Sequence, residues 1–219
     1  MMCMIIGRPK PEIVYTDIAV DNTNAKTHTY SGVALGAEKP GRLVLVSVAN
    51  GAVTTAVTVA GVSATLVDSY GGFRNISLWA AVVPNGTTGT IVVTQASATF
   101  RIFIGVAAAY NLKSTTPIDT ATDESNTINT LTVSVNTLAN GIAFGATCLG
   151  SNVAGPNATW SGLTEDAQLN GPLNGLGDPL DCFSVASLNT TTAQTPRPIT
   201  ATWNLDPIFA KVAIAASFA

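Results

Sequence analysis

No stretch of this chain repeats its apolar residues at helical spacing. Short runs rich in Val, Ile, Ala and Thr follow one another instead, each closed by Gly, Asn or Pro. Arg42 to Val48 is one such run, ended by the turn pair Asn50-Gly51; Val53 to Ala60, Ser63 to Val67 and Ile76 to Val83 follow, the last stopped by Pro84-Asn85-Gly86. Thr90 to Thr94 and Phe100 to Tyr110 complete a first group. Branching at Cβ restricts χ1 and packs well on a pleated surface, so these runs are strands. Many short strands with turns about ten residues apart predict an all-β fold, an antiparallel β-sandwich of jelly-roll type with little or no helix.

The pattern occurs twice. Gly41 to Val48 is answered by Gly141 to Cys148, Ser77 to Ala81 by Phe183 to Leu188, Ile91 to Thr94 by Ile199 to Trp203, and Phe100 to Tyr110 by Phe209 to Phe218. A repeat of about 100 residues is too long for a solenoid unit. The two strand sets either face each other in one sandwich or form two tandem ones, and so few large side chains in each favour one shared core. The expected organisation is an N-terminal arm and first strand over residues 1–30, then a single sandwich over 31–219 with a pseudo-repeat at about 31–112 and 128–219. Ser114 to Asn129, polar and nearly free of apolar residues, reads as a long connection.

Composition narrows the function. The chain has 219 residues, of which 11% are charged, and carries a formal net charge of −3. A nucleic-acid binder needs a Lys/Arg surplus to neutralise phosphates, and none exists here. No apolar run approaches the ~18 residues of a membrane helix, and Arg8-Pro9-Lys10-Pro11 follows the apolar start in the wrong order for a secretory signal. Neither nucleic acid nor membrane is expected as a partner. Cys3, Cys148 and Cys182 are odd in number and at no metal spacing, so free, buried thiols are expected.

Residues able to carry chemistry are few. His28, the only histidine, stands without GxSxG or HExxH and is expected on a surface or edge strand. The acids fall into small groups, Asp119/Asp123/Glu124, Glu165/Asp166 and Asp178/Asp181, without the aromatic lining that a glycoside hydrolase adds. Gly175 to Asp181 could offer calcium two carboxylates but matches no known calcium loop. Trp160 and Tyr70 would serve a lectin-like module if exposed beside loop carboxylates. No catalytic residue, cofactor or metal site is expected. Thr- and Ala-covered faces lose little rotamer entropy when buried, which suits an ordered assembly.

The succession Pro40 to Val48, Val57 to Val67, Ser77-Leu78-Trp79 and Gly89 to Thr94 resembles β-sandwich proteins of tailed-phage virions. That resemblance, spanning roughly Ser31 to Ala219, implies a non-enzymatic structural role, foremost decoration or cementing of a capsid. Its alternatives are a tail or fibre module and a lectin-like receptor-binding domain. It also implies homo-oligomers, contacts with the major capsid protein or other virion proteins, and location in a virion released by lysis. The strand from Phe209 to Phe218 should be tied into a sheet. Deleting Ala210 to Ala219 is therefore expected to abolish the cooperative thermal transition followed by circular dichroism, and not merely trim a tail.

Overall fold

The computed structural model describes residues 9–72, 74–151, 157–170, 180–204 and 210–219, and these form strands and turns without a helix. The first half supplies β1 (Glu12–Asp21), β2 (Ala25–Ala34), β3 (Leu43–Asn50), β4 (Thr54–Val59), β5 (Val62–Ser63), β6 (Thr65–Gly71), β7 (Asn75–Val82), β8 (Thr88–Thr99) and β9 (Ile102–Tyr110). The second supplies β10 (Asp119–Ser125), β11 (Thr130–Thr137), β12 (Gly141–Ser151), β13 (Ala158–Ser161), β14 (Thr164–Asn170), β15 (Leu180–Thr190), β16 (Gln194–Trp203) and β17 (Lys211–Phe218). All pairings are antiparallel. The all-β sandwich expected from the runs of Val and Thr is what forms.

The two halves have one topology. A five-stranded sheet of order β1-β9-β3-β7-β6 in the first half is matched by β10-β17-β12-β15-β14 in the second. A smaller sheet, β2-β8-β4-β5, is matched by β11-β16-β13. Each large sheet packs on its small partner over a core of its own. Val44, Val46, Trp79, Ile104 and Val106 meet Tyr30, Val57, Val59, Ile91 and Val93 in the first half, and Ala143, Ala186 and Ala215 meet Leu131, Val133, Val135 and Ile199 in the second. The two large sheets then stack on each other through a third core containing Leu43, Leu45, Phe103, Phe144, Phe183, Ile214 and Phe218. Instead of the single sandwich expected over 31–219, each half closes a sandwich of its own, and the two stack through a shared core, giving four layers.

Two-sided burial explains the continuous apolar runs. β9 and β17 are buried at every position, whereas β11, covered on one face, alternates buried and exposed. Across the shared core β10 lies against β6, β17 against β7, β12 against β3, β15 against β9 and β14 against β1. Exchanging each strand for its counterpart returns the same list, so the halves are related by a pseudo-two-fold axis passing between β3 and β12.

Two expected boundaries change. Residues 12–21 are not part of an arm; they are β1, paired along its length with β9 of the same sheet. The segment 119–125, read as connection, is β10, paired in the same way with β17. Both are edge strands, and a polar, half-buried edge lacks the apolar signal by which a strand is read. The repeats therefore begin near residues 12 and 119. The register shifts as well: by inward face, Leu43 corresponds to Ile142 and Leu45 to Phe144, one residue away from the alignment of Gly41 with Gly141. A slip of one residue would have turned every side chain of the strand to the wrong core.

Gly105 of β9 marks a close approach of the central sheets. A Cβ there would collide with Val185 and come within 2.9 Å of Ser47 Oγ and 3.0 Å of the Phe183 ring, which itself stacks on Phe103 at 5.7 Å. Gly105→Val is expected to destabilise the chain by about 2–3 kcal/mol in denaturant unfolding, as overpacking does in a filled core.

Candidate functional site

His28 lies on the edge strand β2, but it is fully buried, not at the surface. Strand alternation turns it inward beside Tyr30. Its Nδ1 is 2.9 Å from Asp21 Oδ2 and its Nε2 is 2.9 Å from the Ala25 carbonyl, so the ring closes the β1–β2 turn. The ring thus bridges a carboxylate and a backbone carbonyl. Partial burial opposes ionisation of Asp21, but the Thr23 N–H and His28 outweigh it and hold the carboxyl below its ordinary value.

Among the described residues no group of three His, Cys, Asp or Glu side chains could hold a metal ion. Asp119 Oδ2 accepts the Asn136 N–H at 2.8 Å, and Asp123 accepts the Glu124 N–H at 2.9 Å. Asp178 and most of the loop 175–181 lie outside the described residues, as does Cys3. Cys148 and Cys182 are free and buried, and desolvation pushes both thiols up, Cys148 to about 12.

Asp181 faces the other half. Its Oδ1 is 2.8 Å from Arg74 Nη2, off the hydrogen-bonding direction, and its Oδ2 is 3.8 Å from Arg101 Nε. Burial pushes this carboxyl up while the two guanidinium groups pull it back. Arg74 lies flat against Gly150, where a Cβ would displace it, and its N–H donates to Glu124 Oε1 at 3.0 Å. Tyr70 bonds the same carboxylate, whose charge raises the phenol. Tyr70, Arg74 and Arg101 from the first half thus meet Glu124 and Asp181 from the second in a polar seam beside the shared core.

The other aromatic candidate is equally committed. Trp160 is half-buried against the second core and donates its Nε1 to Ser184 Oγ at 2.8 Å. Neither it nor Tyr70 stands free as a stacking platform. Trp79 and Trp203 are buried.

Arg42 is a feature that the strand pattern did not single out. Fully buried at the start of β3, it donates Nε to Val83 O at 2.7 Å, Nη1 to Gly36 O at 2.7 Å, and Nη2 to Asn85 O at 2.9 Å and Gly86 O at 2.7 Å. One guanidinium therefore ties together two loops, and its charge is solvated by carbonyls. Nothing local distinguishes such an arginine from a surface one.

Two open grooves flank the shared core. One, of about 550 Å³, is lined by Leu43, Thr65, Leu66, Val67, Ala80, Val82 and Pro117. The other, of about 510 Å³, is lined by Tyr15, Thr164, Asp166, Ser187 and Asn189. The first mixes apolar side chains with the hydroxyls of Ser63, Thr65, Thr115 and Thr116, and the second is mostly polar.

Compared with protein-family models, curated proteins and solved structures, the chain matches none. Because the folded-state pKa of Asp21 lies below the unfolded one, its contribution is present at neutral pH and is lost as pH falls through the folded value. Asp21→Asn is expected to lower the thermal midpoint at pH 7, with the gap to the native chain closing as the pH is taken below about 4.

Proposed function

We propose that this chain is a non-enzymatic structural protein of a tailed-phage virion, placed on the capsid as a decorating or cementing subunit. The observation that carries the reading is the character of the two outward faces. On the β11–β16–β13 sheet, Thr130, Thr202 and Thr159 stand in one cross-strand row and Thr132, Thr200 and Ser161 in the next. Thr132 and Thr200 hydroxyls are 2.9 Å apart. The segments forming this face, 130–134, 158–161 and 198–202, contain no charged residue. The opposite outer sheet carries Thr27, Thr29, Thr58, Val92 and Thr94 in the same manner.

A four-layer slab with a hydroxyl-rich face on each side, that of β11–β16–β13 uncharged, is suited to contact neighbours on both. Such faces lose little side-chain entropy on burial and desolvate no charge. A standard interface takes about 800 Å² from each partner, under a tenth of the 9564 Å² exposed here. Many copies of that contact would strengthen a shell by repetition, without chemistry. The resemblance of Pro40 to Val48, Val57 to Val67 and Gly89 to Thr94 to virion β-sandwiches supports the same reading.

The segment ahead of Ser31 is the element placed to reach a neighbour by adding a strand to an exposed edge. Since residues 12–30 contain β1 and most of β2, deleting 1–24 would remove an edge strand and test folding instead. The discriminating experiment mixes the purified chain with capsids and measures co-sedimentation of the native protein and of the Thr132→Lys/Thr200→Lys variant. Saturable binding by the native chain, reduced at least tenfold in the folded variant, is expected. Absence of co-sedimentation, or equal binding by the variant, would overturn the proposal.

A further inference from the structure

The pseudo-two-fold axis makes the two grooves counterparts, so they can be compared residue by residue. Matching ladder registers and inward faces places Ile76 on Phe183, Leu78 on Val185 and Thr65 on Thr164. The edge strands β6 and β14 then carry their bulges at the same point, at Val67 and at Asp166. Under this correspondence Val67 becomes Asp166, Ala80 becomes Ser187 and Val82 becomes Asn189, while Thr65 is kept as Thr164. Three apolar lining positions of one groove are polar in the other, on an identical scaffold.

Asn189 has a structural task, since its Oδ1 accepts the Ile13 N–H at 2.9 Å, but Asp166 and Ser187 are not required by the fold, because Val67 and Ala80 do the same work on the other side. The placement of Asp166 is also unfavourable. Asp166 Oδ2 is buried without a hydrogen-bond partner. Burial pushes its carboxyl up, with only the Ser187 hydroxyl bonding it to oppose that. Desolvation likewise raises Tyr15, whose phenol also feels the charges of Asp17 and Asp166. A carboxylate with one buried oxygen unpaired, held where a valine would serve, is a local rule broken, and such breaks gather at functional sites.

We propose that the groove formed by Tyr15, Thr164, Asp166, Ser187 and Asn189 binds a saccharide through adjacent hydroxyl groups. The chemistry matches group by group: the Asp166 carboxylate at the groove wall accepts from hydroxyl donors, and Ser187 and Thr164 both donate and accept. The Asn189 side-chain oxygen is already held by the Ile13 N–H at 2.9 Å, which fixes the amide for recognition. Tyr15 adds a half-buried ring with an apolar body and a polar tip. Convergent polar groups on an apolar floor are the pattern of ligand sites generally, and an open groove implies weak binding by each copy. In an assembly of many copies, weak sites add by multivalency. The inference stands independently of the proposed place in a virion.

The test uses saturation-transfer NMR on the full chain with the methyl glycosides of glucose, galactose, mannose and N-acetylglucosamine, each at about 20 mM, a concentration that reveals millimolar affinity. Saturation transfer to at least one glycoside is expected. The Asp166→Val/Ser187→Ala variant, which installs two lining residues of the other groove and leaves the Asn189 bond to the Ile13 N–H in place, is expected to lose binding at least tenfold with its thermal midpoint unchanged or raised. If that double variant does not fold, Asp166→Val alone carries the same comparison. The proposal is overturned if no glycoside receives saturation, or if a folded variant binds as well as the native chain.

Discussion

Everything in this molecule depends on the two five-stranded sheets being buried on both faces. Stacked on each other through Phe103, Phe144, Phe183 and Phe218, they leave their central strands no solvent-facing side. That constraint removes charge from the middle of the chain, since an unpaired ion there would forfeit its hydration. It also demands an outer sheet on each side, because the second face of each large sheet is as apolar as the first. The low charge content, the uninterrupted runs of Ala, Val and Ile, and the four-layer architecture are one fact seen at three levels.

Such a core leaves little freedom for chemistry except at its margins. The polar groups retained inside are committed: Arg42 to four loop carbonyls, His28 to a turn, Asp181 to two arginines across the seam. Side chains able to meet a partner sit on the outer faces and in the two grooves between the halves. Pseudo-symmetry is informative here, because one half serves as an internal control for the other. Where two corresponding places differ in chemistry but not in backbone, the difference is free of any structural demand of the shared fold.

Strands covered on both faces, such as β9, or on one, such as β11, were legible because burial imposes an apolar run or an alternation. The edge strands β1 and β10 were not. Paired on one side and half-exposed, they carry Asp17, Asp119 and Asp123 where an inner strand would carry Val. The repeat was visible, but its register was displaced by one residue, since composition repeats without saying which face a residue serves. Glu165 and Asp166 stood out as acids, yet Tyr15, Ser187 and Asn189 lie far from them along the chain and share no spacing with them. His28 resembled a surface residue because its partner Asp21 acts through a turn whose closure the sequence does not announce.

The residues alone determined that this chain forms sheets, that it does so twice, and that its interior holds almost no charge. Those properties follow from side-chain shape, alternation and transfer free energy, which act locally. Tertiary structure decided the rest: that the two repeats stack back to back, which face of each strand meets which core, and that one of two corresponding grooves is polar. These outcomes depend on which strands become neighbours, and neighbours in a sheet are chosen by contacts between residues distant in the chain.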